Sequence, residues 1–189
     1  DVEIRIEDIL DRMSLEDMVT LLSGEDFWSV AALPEHGIGK LRVTDGPNGA
    51  RGSGSFFQDG GERVSSASFP VGIALGASWD PDLVEQIGRA IADETKSKGA
   101  QVCLAPTVNI HRSVTNGRNF ECYSEDPELS ADLTAAFVKG LQSKGVAATV
   151  KHFAGNESEI ERTTINSKVD ERSLREVYLR PFADAVKKA

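Results

Sequence analysis

The chain has 189 residues, 40% of them hydrophobic, enough to bury one sizeable core, and predicts a single domain or a large part of one. Its formal net charge of −9, with Lys and Arg scattered rather than clustered, argues against nucleic acid or anionic membrane as a main partner. No apolar run approaches the roughly 20 residues that a membrane span requires.

In chain order, Ser14 with Asp17 three positions on resembles a capping box, opening an amphipathic stretch through Leu15, Met18, Val19 and Leu22 that stops at Gly24. A short apolar run at 41–44 reads as a strand and ends in Asp45. The Gly- and Ser-rich stretch 52–68 reads as a long loop, and a second strand is predicted at 71–77. Asp80-Pro81 then supplies an N-cap and a first-turn proline for a helix through Leu83, Val84, Ile87 and Ile91, ending before Gly99. A third strand is expected at 101–110. Asp126-Pro127 repeats the capping device for a helix through Leu133, Phe137 and Leu141 that ends near Gly145. A fourth strand at 146–153 follows, and Asp170 starts a last helix with a kink expected at Pro181.

These apolar runs do not alternate, as befits strands covered on both faces, and strand–helix alternation at such spacing means parallel βαβ units. The choice lies between an open doubly wound sheet and a (β/α)8 barrel. A barrel of that kind needs about 250 residues. Four units in 189 residues, with a helix last, match the first half of a TIM-type barrel with an N-terminal helix. The chain opens on Asp1 rather than Met, so its original start is expected upstream. Cys103 and Cys122 admit a disulfide or two buried thiols, the second being commoner. Without a CxxC or Cys/His cluster, no structural zinc is expected. Compartment stays open.

In parallel α/β folds chemistry gathers at the carboxyl ends of the strands. Those ends carry Asp45, then 78–80, then 109–118 with Arg118, then Lys151 and His152. One such ending means little, because a terminal Lys reaches solvent and a lone His is more often structural. Several on one rim point to a ligand. Carboxylate, guanidinium, ammonium and imidazole together supply donors and acceptors, which suits a neutral polyhydroxylated molecule such as a sugar. A phosphate would want a glycine-rich turn at a helix N-terminus, for which Gly52-Ser53-Gly54 is a weak candidate. Asn156-Glu157-Ser158 is a glycosylation sequon, with occupancy doubtful so close to a strand end.

Six ordered motifs cover almost the whole chain: LRVTDGPNGARG at 41–52, FPVGIALGASWD at 69–80, APTVNIHRS at 105–113, GRNFECYSEDP at 117–127, KHFAGNE at 151–157 and ERSLREVYLRPF at 171–182. Jointly they resemble the N-terminal domain of glycoside hydrolase family 3, most closely its β-glucosidase members. The resemblance implies that Asp45, Arg51, Arg118, Lys151, His152 and Arg162 hold the hydroxyls of the sugar before the cleaved bond. Arg51 and Arg162 rest on it alone; by residue type they read as surface arginines. It also implies retaining, exo-acting hydrolysis of terminal β-D-glucosyl residues by a nucleophilic Asp and a separate acid/base, with no cofactor or metal. The family's nucleophile lies in a Ser-Asp-Trp type motif that nothing here matches. Residues 1–189 are therefore expected to be the N-terminal portion of the barrel, truncated before the nucleophile-bearing strand, with no catalytic carboxylate of their own.

The partners implied are a β-glucoside substrate, small-molecule or oligosaccharide, the rest of the barrel, and a C-terminal α/β sandwich. Glucose, xylose or galactose remains open as the glycone. A β-N-acetylhexosaminidase of the family would resemble KHFPGHG, whereas Asn156 stands in place of its second His and SEIERTT holds no Asp-His pair. A β-xylosidase, and outside enzymes a non-catalytic sugar-binding barrel, are the other readings. Glu121, Glu125 and Asp126 are the carboxylates most able to upset this picture; Asp126 reads as a helix cap and the glutamates as local loop structure.

Overall fold

The computed structural model describes residues 1–52 and 65–189. The loop expected at 52–68, and with it Gly52-Ser53-Gly54, lies largely outside the described residues. The chain divides into two compact units, Asp1–Val43 and Thr44–Ala189.

The first unit holds two helices, α1 (Val2–Arg12) and α2 (Leu15–Leu21), and an antiparallel meander of β1 (Gly24–Asp26), β2 (Ser29–Val30) and β3 (Leu41–Asp45), whose last two residues belong to the second unit. The capping box is formed: the Ser14 hydroxyl accepts from the Asp17 amide at 3.1 Å, and the Asp17 carboxylate accepts from the Ser14 amide at 3.0 Å. These bonds satisfy donors that a helix start leaves open. Helix α1 and the β1–β2 hairpin are additions to the sequence reading.

The second unit packs two long helices, α4 (Pro81–Ser97) and α5 (Pro127–Ser143), beside a parallel pair, β4 (Val102–Leu104) and β5 (Ala147–Ala148). Both helices start as their sequences predict. Asp80 accepts from the Leu83 amide, and Asp126 from the amides of Glu128 and Leu129. Both give way to left-handed glycines, Gly99 and Gly145, where a side chain would be strained. In α4, Val84, Gly88, Ile91, Ala92 and Thr95 form one buried stripe. α5 is buried on nearly every side, with Phe137 at its centre. The two helices approach through glycine: a Cβ on Gly88 would lie 2.5 Å from the Phe137 carbonyl oxygen, and one on Gly140 2.3 Å from that of Glu85. Cys103 and Cys122 sit in this unit as free, buried thiols. Burial pushes them up to about 11 and about 12 respectively, so both stay protonated.

Three expected strands need correction. Residues 71–77 are not a strand; they form α3 (Gly72–Ser78). An apolar run with no charge fits either state by periodicity. What decides it is the spacing of Gly72 and Gly76, which brings one bare helical face against backbone. A Cβ on either would lie 2.2 Å or less from the carbonyl oxygen of Glu121 or Tyr123. The 101–110 strand shrinks to β4, because Pro106 has no amide to donate to a ladder. The 146–153 strand shrinks to β5, although pairing resumes at a Thr107–Lys151 bridge, where Val108 N donates to Lys151 O at 2.8 Å and Lys151 N to Pro106 O at 3.0 Å. The last helix is broken as expected near Pro181. It runs as α6 (Glu171–Ser173), a π-helical turn at Leu174–Tyr178, then α7 (Arg180–Lys188), whose first turn takes the proline.

Candidate functional site

Asp45 ends β3, and the turn after it returns Arg51 to its side. Gly46 makes that turn possible. Its φ is +139°, and a Cβ there would sit 1.8 Å from the Gly49 carbonyl oxygen. The Arg51 amide donates to the Asp45 carbonyl at 2.9 Å, the Gly52 amide to the Thr44 hydroxyl at 2.8 Å, and Arg51 Nη1 to Asp45 Oδ2 at 3.3 Å. From the strand bridge 106 residues later, Lys151 Nζ donates to Asp45 Oδ1 at 2.5 Å. Burial alone would raise the Asp45 carboxyl, but the Lys151 ammonium and the Arg51 guanidinium outweigh it and hold the group below its ordinary value. Asp45 is therefore an anion clasped between two cations, with Lys151 14% exposed.

A second set forms around Arg118. Its Nε pairs closely with Glu121 Oε1, and its Nη1 lies 3.6 Å from Glu159 Oε1. Glu121 is buried and takes the Thr107 hydroxyl on its other oxygen at 2.9 Å. Glu159 accepts from Arg162 Nη1 at 3.0 Å and from the Asn156 amide group at 2.9 Å. Burial pulls the Arg118 pKa down, but Glu121 and Glu159 reverse that and leave it raised. A cavity of about 270 Å³ opens beside this set, lined in part by Thr115, Asn116, Glu157 and Glu159.

His152 links the two sets. It follows Lys151 in the chain, and the charges of Arg118, Glu121 and Glu159 act on its ring. Its Nδ1 faces Asn109 Oδ1 at 2.9 Å. Burial first, then the positive charges of Arg118 and Lys151, depress its pKa to about 4, so the ring is neutral near pH 7.

The structure thus gathers all six residues singled out from the sequence. Asp45, Arg51 and Lys151 are joined directly, Arg118 and Arg162 meet through Glu159, and His152 stands between. The strand end expected at 78–80 is not part of this. Ser78 Oγ bonds the Leu75 carbonyl inside α3, and Asp80 caps α4. Glu121 is more than loop structure, since it anchors Arg118 from a buried position. Asn109, Glu157 and Glu159 went unnamed as site residues. Asn109 and Glu157 are polar residues within motifs at strand ends, whereas Glu159 lies two residues past the KHFAGNE motif and carries no such signal. Among the described residues two carboxylate-rich groups have donor atoms within 4.8 Å of one another, Asp17 with Glu35 and His36, and Glu128 with Asp132 and Asp184. Asp17 is committed to its cap and to His36, and each carboxylate of the second group is ion-paired with Arg180 or Lys188.

Comparison with known proteins supplies the context for this constellation. A family model described as the glycosyl hydrolase family 3 N terminal domain matches residues 55–189. A beta-glucosidase of Rhizobium radiobacter is 64% identical over 97% of the chain, and beta-glucosidase B of Emericella nidulans 50% identical over 98%. The crystal structure of a Kluyveromyces marxianus beta-glucosidase in complex with glucose superposes on 97% of the chain with a TM-score of 0.91 at 46% identity. Beta-glucosidase 3B of Thermotoga neapolitana, also with glucose, gives 0.90 at 38%. The chain spans about a fifth of the curated relatives it matches, 22% and 21% of their lengths, and 22% and 28% of those two crystallised chains.

Proposed function

The chain belongs to glycosyl hydrolase family 3, and from that premise we propose that residues 1–189 are the N-terminal portion of the barrel of a retaining β-glucosidase, holding the terminal sugar for exo-hydrolysis. The observation that carries this reading is the Lys151–Asp45–Arg51 clasp, with His152 next in the chain and its ring within the electrostatic reach of both Lys151 and Arg118. A pyranose hydroxyl both donates and accepts. Asp45 offers acceptors, Lys151 and Arg118 offer charged donors, and all are already oriented by protein contacts, which lowers the ordering cost of binding. Similarity over nearly the whole chain to beta-glucosidases, two of them crystallised with glucose, supports the glycone assignment.

In this reading neither catalytic carboxylate belongs to residues 1–189. The glycone residues act by gripping hydroxyls more tightly as the ring approaches its oxocarbenium-like state, a differential grip that contributes several kcal/mol in glycosidases. The two reacting carboxyls, about 5–5.5 Å apart for a retaining reaction, come from the remainder of the barrel and from an α/β sandwich domain. Among the described carboxylates, Asp126 is committed to capping α5 and Glu121 to Arg118 and Thr107. Asn156, where the N-acetylhexosaminidase pattern places a histidine, donates to Glu159 instead, which favours the glucosidase reading.

The test is the full-length protein with an aryl β-glucoside, following the first-formed sugar by proton NMR. The expected product is β-glucose ahead of mutarotation. No hydrolysis, or the α-anomer first, defeats the proposal.

A further inference from the structure

Asn109 is 4% exposed, and its side-chain amide has three backbone or carboxylate partners whose polarity is unambiguous. The His152 backbone amide donates to Oδ1 at 3.2 Å, while Nδ2 donates to the His152 carbonyl and to Glu157 Oε1, each at 3.4 Å. Turned over, the amide would set its oxygen against two oxygens and its NH2 against an N–H. Its orientation is thereby settled. Glu157 is itself placed by the Ile110 amide, which donates to the same Oε1 at 3.4 Å.

The consequence falls on the imidazole. Oδ1 can only accept, and it faces His152 Nδ1 at 2.9 Å, so the ring proton sits on Nδ1. Nε2 then carries a lone pair, and among the described residues it makes no hydrogen bond. We propose that Asn109 is a positioning residue that holds His152 as its Nδ1–H tautomer, so that Nε2 presents an acceptor to a substrate hydroxyl. This rests on the glycone reading above. It explains a need of the site. Arg118, Lys151, Arg51 and Arg162 can only donate, and Asp45, Glu121 and Glu159 already accept from protein partners, so a neutral imidazole adds an acceptor to the site. The charged groups acting on the ring are Arg118 and Lys151, which disfavour its protonation, and Glu121 and Glu159, which oppose them. Burial sides with the cations.

The experiment compares Asn109→Leu, Asn109→Asp and His152→Ala with wild type, all in the full-length protein. Each is followed by 15N correlation of labelled histidines and by the pH profile of kcat/KM for an aryl β-glucoside. The His152 signal is the one lost in His152→Ala. The expected wild-type pattern is protonated Nδ1 and bare Nε2 in the unliganded protein. Asn109→Leu should give mixed tautomers and at least a tenfold loss of kcat/KM. Asn109→Asp should keep the tautomer and move the acidic limb of the profile upward by a pH unit or more, since an anion at Nδ1 favours the imidazolium. A proton on Nε2 in wild type overturns the proposal, as do wild-type profiles in both Asn109 variants. Wild-type kcat/KM in His152→Ala overturns the glycone role itself, and is distinguishable because the tautomer signal is read without substrate.

Discussion

Replacing Lys151 with Met keeps most of the side-chain stem and deletes the ammonium. On the protein side, Asp45 loses its 2.5 Å donor but keeps Arg51 at 3.3 Å and stays 26% exposed. Severing a fully buried pair costs about 3–5 kcal/mol. With Arg51 and solvent partly compensating, the cost here should fall to about 1–2 kcal/mol. On the substrate side, the proposed role of the ammonium is a charged hydrogen bond to a sugar hydroxyl, worth about 1.5–3 kcal/mol. At about 1.4 kcal/mol per factor of ten, kcat/KM should drop roughly 10- to 150-fold. The larger share should fall on kcat if that bond tightens in the transition state. The assay is steady-state hydrolysis of an aryl β-glucoside by the full-length variant, with Tm measured alongside. The pH dependence has a fixed sign. Asp45 has a depressed pKa in the folded chain, so as pH falls the unfolded state takes the proton first. Its contribution to stability is present above the ordinary carboxylate range and is lost as pH drops through the still lower folded value. In Lys151→Met burial is opposed by Arg51 alone, so the folded value rises toward or past the unfolded one and this acid-limb contribution should shrink or change sign. A variant with kcat/KM within threefold of wild type and an unchanged acid limb would refute the clasp as a functional unit.

Two further outcomes follow from packing. Gly140→Ala places a methyl 2.3 Å from the Glu85 carbonyl oxygen at the α4–α5 crossing, where neither backbone can yield cheaply. It should destabilise by about 1–3 kcal/mol or more, seen as a lowered Tm, and an unchanged Tm would mean the helices are not packed through glycine. Peptides bearing Cys103 and Cys122 should stay unmodified by iodoacetamide near pH 7.5 in the native protein and react once it is denatured. Both thiols are at most 1% exposed and are pushed well above the pH of the assay.

Local chemistry wrote much of this protein into its sequence. Asp80-Pro81 with Gly99, and Asp126-Pro127 with Gly145, bound α4 and α5 in the structure as they do on paper, because capping and left-handed glycines are properties of a few adjacent residues. The Ser14 capping box is legible for the same reason. The motifs carrying Asp45, Arg118, Lys151 and His152 were likewise visible as polar tips on apolar runs.

Tertiary structure decided the rest, since it depends on partners far away in the chain. The stretch 71–77 became a helix because Gly72 and Gly76 present bare backbone to Glu121 and Tyr123, and nothing within the stretch announces what lies opposite. Glu159 matters because it lies between Arg118 and Arg162, and Asn109 because it meets His152 from 43 residues away. A single asparagine in a sequence has no preferred side for its oxygen. Only the folded chain, by surrounding that amide with one donor and two acceptors, gives it one.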